Sequence, residues 1–133
     1  MTLKFSTLVR NAELDAIETT IGTFPEVDIY TGGSPANLSD AATGLNLVKI
    51  FLPSDWMNAA NLGSKTKTGT WSGSAIDTGT ASYFRMYTSG SVASIQGTVS
   101  GSAGGADMIL DNVSISVAQT VTINTFTLNA GNS

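Results

Sequence analysis

The chain has no cysteine and no histidine among its 133 residues. Without imidazole, the Ser-His-Asp and Cys-His arrangements are excluded, together with the usual general base of a neutral-pH enzyme. Without thiol, no cysteine nucleophile, disulfide, redox pair or iron-sulfur ligand can form, and a zinc site would have to be built from carboxylates alone. Charge is scarce as well: charged residues make up 12% of the chain, against roughly 25% in an ordinary soluble domain. Six Lys and Arg against ten Asp and Glu give a net charge of -4, so there is no basic footprint for the phosphates of duplex nucleic acid. No stretch approaches the ~20 apolar residues of a membrane helix. Met1 to Ser6 runs on to Arg10 and Glu13 without the apolar core of a secretory signal. The expectation is a protein with no catalytic residue, no cofactor, no metal, and no nucleic-acid or membrane partner.

What is present is a core and an uncharged polar surface. Hydrophobic residues make up 41% of the chain, enough for one domain over residues 1–133 to fold on packing alone. Residues 6–22 read as one amphipathic helix. Leu8, Val9, Ala12, Ala16, Ile17 and Ile21 recur at three- and four-residue spacings, with Arg10, Asn11, Glu13, Asp15 and Glu18 on the other side. Ser6 fits the N-cap and Gly22 the C-terminal stop, with Phe24-Pro25 closing off continuation.

Residues 25–130 change texture to short Thr- and Val-rich runs broken by Gly, Asn, Asp and Ser, the pattern of an all-β body. The fold class expected is therefore all-β with one N-terminal α-helix, an antiparallel β-sandwich or a jelly-roll-like barrel. Residues 45–52 are apolar on both parities and predict a strand covered on both faces, with the helix as second cover. Pro53 to Ala60 predicts a short helical turn, and Lys65 to Trp71 an exposed strand with a basic tip. Ser82, Phe84 and Met86 alternate with Tyr83, Arg85 and Tyr87, which places the two sets on opposite faces. In the last strand the apolar residues switch from odd positions (Val121, Ile123) to even ones (Phe126, Leu128), predicting a bulge near Asn124 or Thr125.

Few residue patterns suggest chemistry. Glu13, Asp15 and Glu18 read as a solvated helix face. Asp107, Asp111 and Asn112 supply hard oxygens, yet they lack the spacing of a calcium loop and fit turn or capping roles better. Leu62-Gly63-Ser64-Lys65-Thr66 lacks the spacing of a phosphate loop. Trp56 and Trp71 read as core, and Tyr83 and Tyr87, flanking Arg85, as a contact between subunits. Low charge and a Ser/Thr surface reduce the cost of burial against a neighbour, so homo-oligomerisation is expected. The Gly- and Ser-rich segments 31–44 and 100–106 are long enough to act as arms that order on a partner.

The runs FSTLVRNAELDAIETTIG (5–22), LPSDWM (52–57), GTW (69–71), TGTASYFRMY (78–87), IQGTV (95–99), DMILDN (107–112) and VTINTFTL (121–128), taken in order over nearly the whole chain, resemble a family of small virion structural proteins of tailed bacteriophages and prophages. The resemblance implies a place in the virion, made in the bacterial host cytoplasm, and no catalytic residues. Small β-rich phage proteins of this size commonly act as cement or decoration proteins outside the major capsid protein, often as trimers. The expected partners are therefore further copies of the chain and the major capsid protein or other virion proteins. The expected contacts are Met1, Leu3 and Phe5 at the N-terminus, Tyr30 and Pro35 around the Gly32 to Asp40 loop, and the face of Tyr83, Arg85 and Tyr87. Two alternatives remain at this point: a tail or neck adaptor, and a glycan-binding module using Trp71, Tyr83 and Tyr87.

Overall fold

The computed structural model describes residues 3–133; Met1, one of the expected contacts, lies outside them. Helix α1 (Thr7–Ile21) is capped as its sequence predicts. The Ser6 Oγ accepts from the Val9 N–H at 3.2 Å, and Gly22, at φ 86°, donates its N–H to the Glu18 carbonyl at 2.9 Å.

The rest is β: β1 (Glu26–Tyr30), β2 (Asn46–Phe51), β3 (Ser64–Thr66), β4 (Trp71–Ser74), β5 (Gly79–Thr80), β6 (Tyr83–Tyr87), β7 (Ala93–Ser100), β8 (Met108–Leu110), β9 (Ser114–Ile115) and β10 (Thr120–Asn129). The main sheet runs β2-β1-β6-β7-β8-β10-β3, with β4 also paired to β10, and β5 and β9 form a separate two-stranded ribbon. Among the described residues all strand pairings are antiparallel except β7 with β8, where Val99↔Met108 and Ser100↔Ile109 pair across a seven-residue return. The architecture is thus the barrel-like form of the expectation: a curled mixed sheet making a half-barrel, with the helix at the N-terminal end.

The curl brings β4 back to β2. The Ile76 N–H donates to the Leu47 carbonyl at 2.8 Å. A Cβ on Gly73 would stand 2.9 Å from the Lys49 carbonyl oxygen and within 3.4 Å of the side chains of Val48 and Ile50. The second cover of β2 is therefore β4 and not the helix, which crosses β3 instead. Inside the curl, Trp56, Trp71, Phe84 and Phe126 form a chain of tilted and edge-on rings with centroids 5.6–6.2 Å apart, a spacing typical of attractive aromatic pairs. Both tryptophans are fully buried, as expected. The register of β10 on β8 shifts between Ile123 and Thr125, so the parity switch is a true bulge.

Two local expectations fail for one reason. Residues 53–60 form no helix, because α1 side chains take their backbone donors. The Met57 N–H donates to Glu18 Oε2 at 3.2 Å and the Ala60 N–H to Asp15 Oδ1 at 2.9 Å. Lys65 is no exposed tip: its side chain is 1% exposed and its ammonium lies 2.7 Å from Asp15 Oδ1 and 2.9 Å from Glu18 Oε1. Of the helix residues that read as solvated, Asn11, Asp15 and Glu18 are docked while Glu13 is exposed; of the apolar set, Ile17 and Ile21 pack on the core while Leu8, Val9, Ala12 and Ala16 are exposed.

Candidate interaction surfaces

The outer face of β1 and β6 was expected to be open, and it is roofed. Tyr30, Tyr83 and Arg85 are all less than 10% exposed. The segment 31–45, which leaves β1 and returns as β2, folds across them, and each of its anchors is a polar atom of the face beneath. The Tyr83 hydroxyl donates to the Thr43 carbonyl at 2.6 Å and accepts from the Thr43 N–H at 2.9 Å. Arg85 spends its guanidinium on three acceptors: Gln96 Oε1 at 2.8 Å, the Asp40 carbonyl at 2.8 Å and the Asn37 carbonyl at 3.1 Å. Gln96 in turn donates to the Pro35 carbonyl at 2.8 Å. Tyr30 stacks on Tyr83 with centroids 5.0 Å apart and planes 14° from parallel.

Tyr30, Tyr83 and Arg85 are thus withdrawn from any contact surface. The outward surface here is the strap itself, whose residues 36–45 are exposed while Pro35 is half-buried. The strap is ordered on its own chain and needs no partner to order it, which corrects its reading as a free arm. Segment 100–106 is pinned likewise: the Ala106 N–H donates to Ser100 Oγ at 3.1 Å, and Asp107 Oδ2 accepts from the Thr98 N–H at 2.9 Å. Asp111 Oδ1 accepts from the N–H groups of Asn112 and Thr122 at 2.9 and 3.2 Å, so Asp107 and Asp111 take the capping roles their spacing favoured.

Beside the strap, β1, β2 and β6 form a small polar pocket of roughly 260 Å³ that includes Glu26, Asp28, Asn46, Lys49 and Tyr87. Lys49 Nζ lies 3.0 Å from Asp28 Oδ2 and 3.2 Å from Glu26 Oε2. Asn46 Nδ2 donates to the same Asp28 oxygen at 3.0 Å, and the Tyr30 and Tyr87 hydroxyls lie 2.9 Å apart. Burial, reinforced by the Glu26 carboxylate, pushes the Asp28 carboxyl up to about 6. Glu26 is held below its usual range by its interaction with the neighbouring Asp28 carboxyl and by Lys49. Lys49 is raised, chiefly by its hydrogen bond to Asp28. The sequence reading missed this cluster. The signal was the alternation of Glu26, Asp28 and Tyr30 on one parity, which reads equally well as an exposed strand face. Among the described residues no group of three or more carboxylates is placed to hold a metal ion.

The N-terminal contacts divide. Leu3 is 63% exposed, whereas Phe5 is half-buried and its N–H donates to the Asn132 carbonyl, tying the two ends together. Tyr87 is half-buried at the rim of the polar pocket. Trp71 and Tyr83 are buried, so the ring platform imagined for a glycan offers no open ring from either. Compared with protein-family models, with curated proteins and with solved structures, the chain finds no match in any of the three.

Proposed function

We propose that the chain is a structural protein of a tailed-bacteriophage virion, most specifically a cement or decoration protein that stabilises the head by lying across seams between capsid subunits. The observation that carries this reading is the ordered series of seven motifs from Phe5 to Leu128, and their resemblance to small phage virion proteins. In this reading the protein is not an enzyme and carries no cofactor. Its partners are the major capsid protein and further copies of itself, with a trimer as the expected assembly. It is made in the host cytoplasm and ends in the particle.

The strap supports the reading physically. A surface that binds by area loses affinity to every loop it must order on contact. The strap is already held at Pro35 by Gln96, at Asn37 and Asp40 by Arg85 and at Thr43 by Tyr83, so the exposed backbone and Ser, Thr, Asn and Ala side chains of residues 36–45 can be buried at little entropic cost. A standard contact buries about 1,600 Å² in total, and repeating it around a particle multiplies a modest affinity.

The test is quantitative mass spectrometry of purified particles, followed by electron cryomicroscopy. Cement predicts hundreds of copies per particle, on the head surface, with the 32–40 segment at the contact. A single ring of copies at the neck or tail would move the protein to an adaptor role, and absence from particles would end the virion reading.

A further inference from the structure

The corner of the sheet where β2, β1 and β6 meet holds two acceptors that the fold leaves unserved. Asp28 is 3% exposed, and its Oδ1 has no hydrogen-bond partner among the described residues; the Oδ1 of the adjoining Asn46 has none either. A buried acceptor without a donor is a standing cost to the fold. Both residues line the polar pocket of roughly 260 Å³, and no residue of the strap lines it. Strand register brings an open aromatic ring to the same place. Glu26 pairs with Phe51 on one side and with Tyr87 on the other, and directly opposed residues of antiparallel strands share a face. Phe51 is 71% exposed, so its ring stands in solvent beside the carboxylates.

We propose that this corner binds a neutral saccharide, one pyranose ring lying against Phe51 with its hydroxyls turned into the pocket. Elimination leads to that class. Two carboxylates against one ammonium repel an anion. A metal ion would sit against the Lys49 ammonium, which is already 3.0 Å from Asp28 Oδ2 and 3.2 Å from Glu26 Oε2. An apolar ligand would leave the polar lining unpaired. What remains is a neutral group that both donates and accepts, as a hydroxyl does. The volume lies below the ~300–1,000 Å³ of pockets for drug-sized ligands, which limits the occupant to a single sugar ring.

The groups divide the work by depth. At the mouth, Glu26 accepts from a sugar hydroxyl, and the hydroxyls of Tyr87 and Ser91 donate or accept as the ligand requires. Ser91 is presented by a closed turn, in which the Thr88 N–H donates to the Val92 carbonyl and the Ser91 N–H to the Thr88 carbonyl. Lys49 spends two of its protons on Asp28 and Glu26 and offers the third to a sugar oxygen. Its side chain is 45% exposed, so it swings toward the ligand and uncovers the floor. There a sugar O–H donates to Asp28 Oδ1 or Asn46 Oδ1. A donor at Oδ1 favours the ionised carboxylate, against the burial that pushes this group up to about 6. The apolar C–H face of the sugar covers the Phe51 ring.

The inference does not rest on the virion reading and is tested on the purified chain. Proton–nitrogen correlation NMR follows titration with the methyl glycosides of glucose, galactose, mannose and N-acetylglucosamine. At least one is expected to shift the amides of residues 26–30, 46–51 and 87–91 and the side-chain amide of Asn46, with a dissociation constant of about 1 mM. The amides of β3, β4 and β10 are expected to stay in place. Phe51→Ala and Glu26→Gln change side chains outside the buried core, so both are expected to keep the circular dichroism of the parent. Each is expected to weaken binding about tenfold. Silence from all four glycosides at about 50 mM, well above that constant, overturns the proposal, as do shifts confined to another part of the chain. Binding that neither variant weakens overturns it too. Shifts at the same residues from calcium chloride or arginine amide, with none from any glycoside, would make the corner a cation site and reject the saccharide.

Discussion

Asp28 is the residue whose environment departs furthest from what its strand pattern implies. It is 3% exposed, and its Oδ1 has no hydrogen-bond partner among the described residues; its other oxygen is shared by Lys49, Asn46 and Tyr30. Its folded value near 6 lies above the 3.8 of a free aspartate, so the folded chain binds this proton more tightly than the unfolded chain does. The stability it confers is full below about pH 4 and is lost as the pH rises through about 6. At about 1.4 kcal/mol per pH unit, keeping it ionised at neutral pH costs on the order of 3 kcal/mol. Asp28→Asn is therefore expected to flatten the pH dependence of urea-unfolding stability between pH 4 and 6 and to leave stability at pH 7 equal or higher. A fall at pH 7 would show that the ion pair with Lys49 outweighs the burial cost. At this scale the sequence was informative where chemistry is one-sided. Trp56 and Trp71 could hardly be left in water, whereas Lys65 gave no sign of burial because its partners Asp15 and Glu18 lie some fifty positions away.

Among elements, the segment 31–45 and helix α1 show what local pattern can and cannot say. The caps at Ser6 and Gly22 and the bulge beside Asn124 follow from contacts within a few residues, and all were legible. Which side of α1 faces inward depends on Lys65 and on the backbone donors of residues 57, 60 and 63, which no helical periodicity encodes. The strap is a similar case: Gly32, Gly33 and Ser34 mark a loop, but its fate rests on Arg85. Hydrogen bonds from a charged donor contribute about 1.5–3 kcal/mol. Arg85→Ala is therefore expected to speed amide exchange over residues 37–43 by about ten- to a hundredfold while leaving β2 and β10 protected. Uniform exchange across the chain would show instead that the strap and the sheet open as one unit. Lys65→Met is expected to loosen α1 selectively, seen as faster exchange of helix amides and easier proteolysis before Gly22, because Asp15 and Glu18 then lose their common partner.

For the whole molecule, the seam between β2 and β4 decides whether the sheet is an open ribbon or a half-barrel. Gly73 makes that approach possible, and an inserted side chain there meets backbone that cannot rotate away. Gly73→Val is expected to lower stability by about 1–3 kcal/mol, as overpacking commonly does, with loss of the near-ultraviolet signal of Trp71 on the same strand. An unchanged midpoint in urea would show that the seam is not a packed contact. The all-β class was legible from the spacing of turns, but strand order was not, because strands such as β1 and β6, which pair Tyr30 with Tyr83, are about fifty positions apart and no turn connects them.

Strand β10 carries a further consequence, for the order in which the chain can fold. Its ten residues pair with β8 on one side and with β4 and then β3 on the other. Among the described residues it follows all of its partner strands in chain order. As the polypeptide leaves the ribosome, β3, β4 and β8 therefore wait with unsatisfied edges until residues 120–129 emerge. Closing such distant pairings carries a loop-entropy cost before any contact compensates it, which makes folding slow compared with helical proteins of similar size. The nascent chain spends that interval with sticky edges exposed, so its yield should be sensitive to chaperone supply and to temperature during synthesis, even though the finished protein holds those same edges shut.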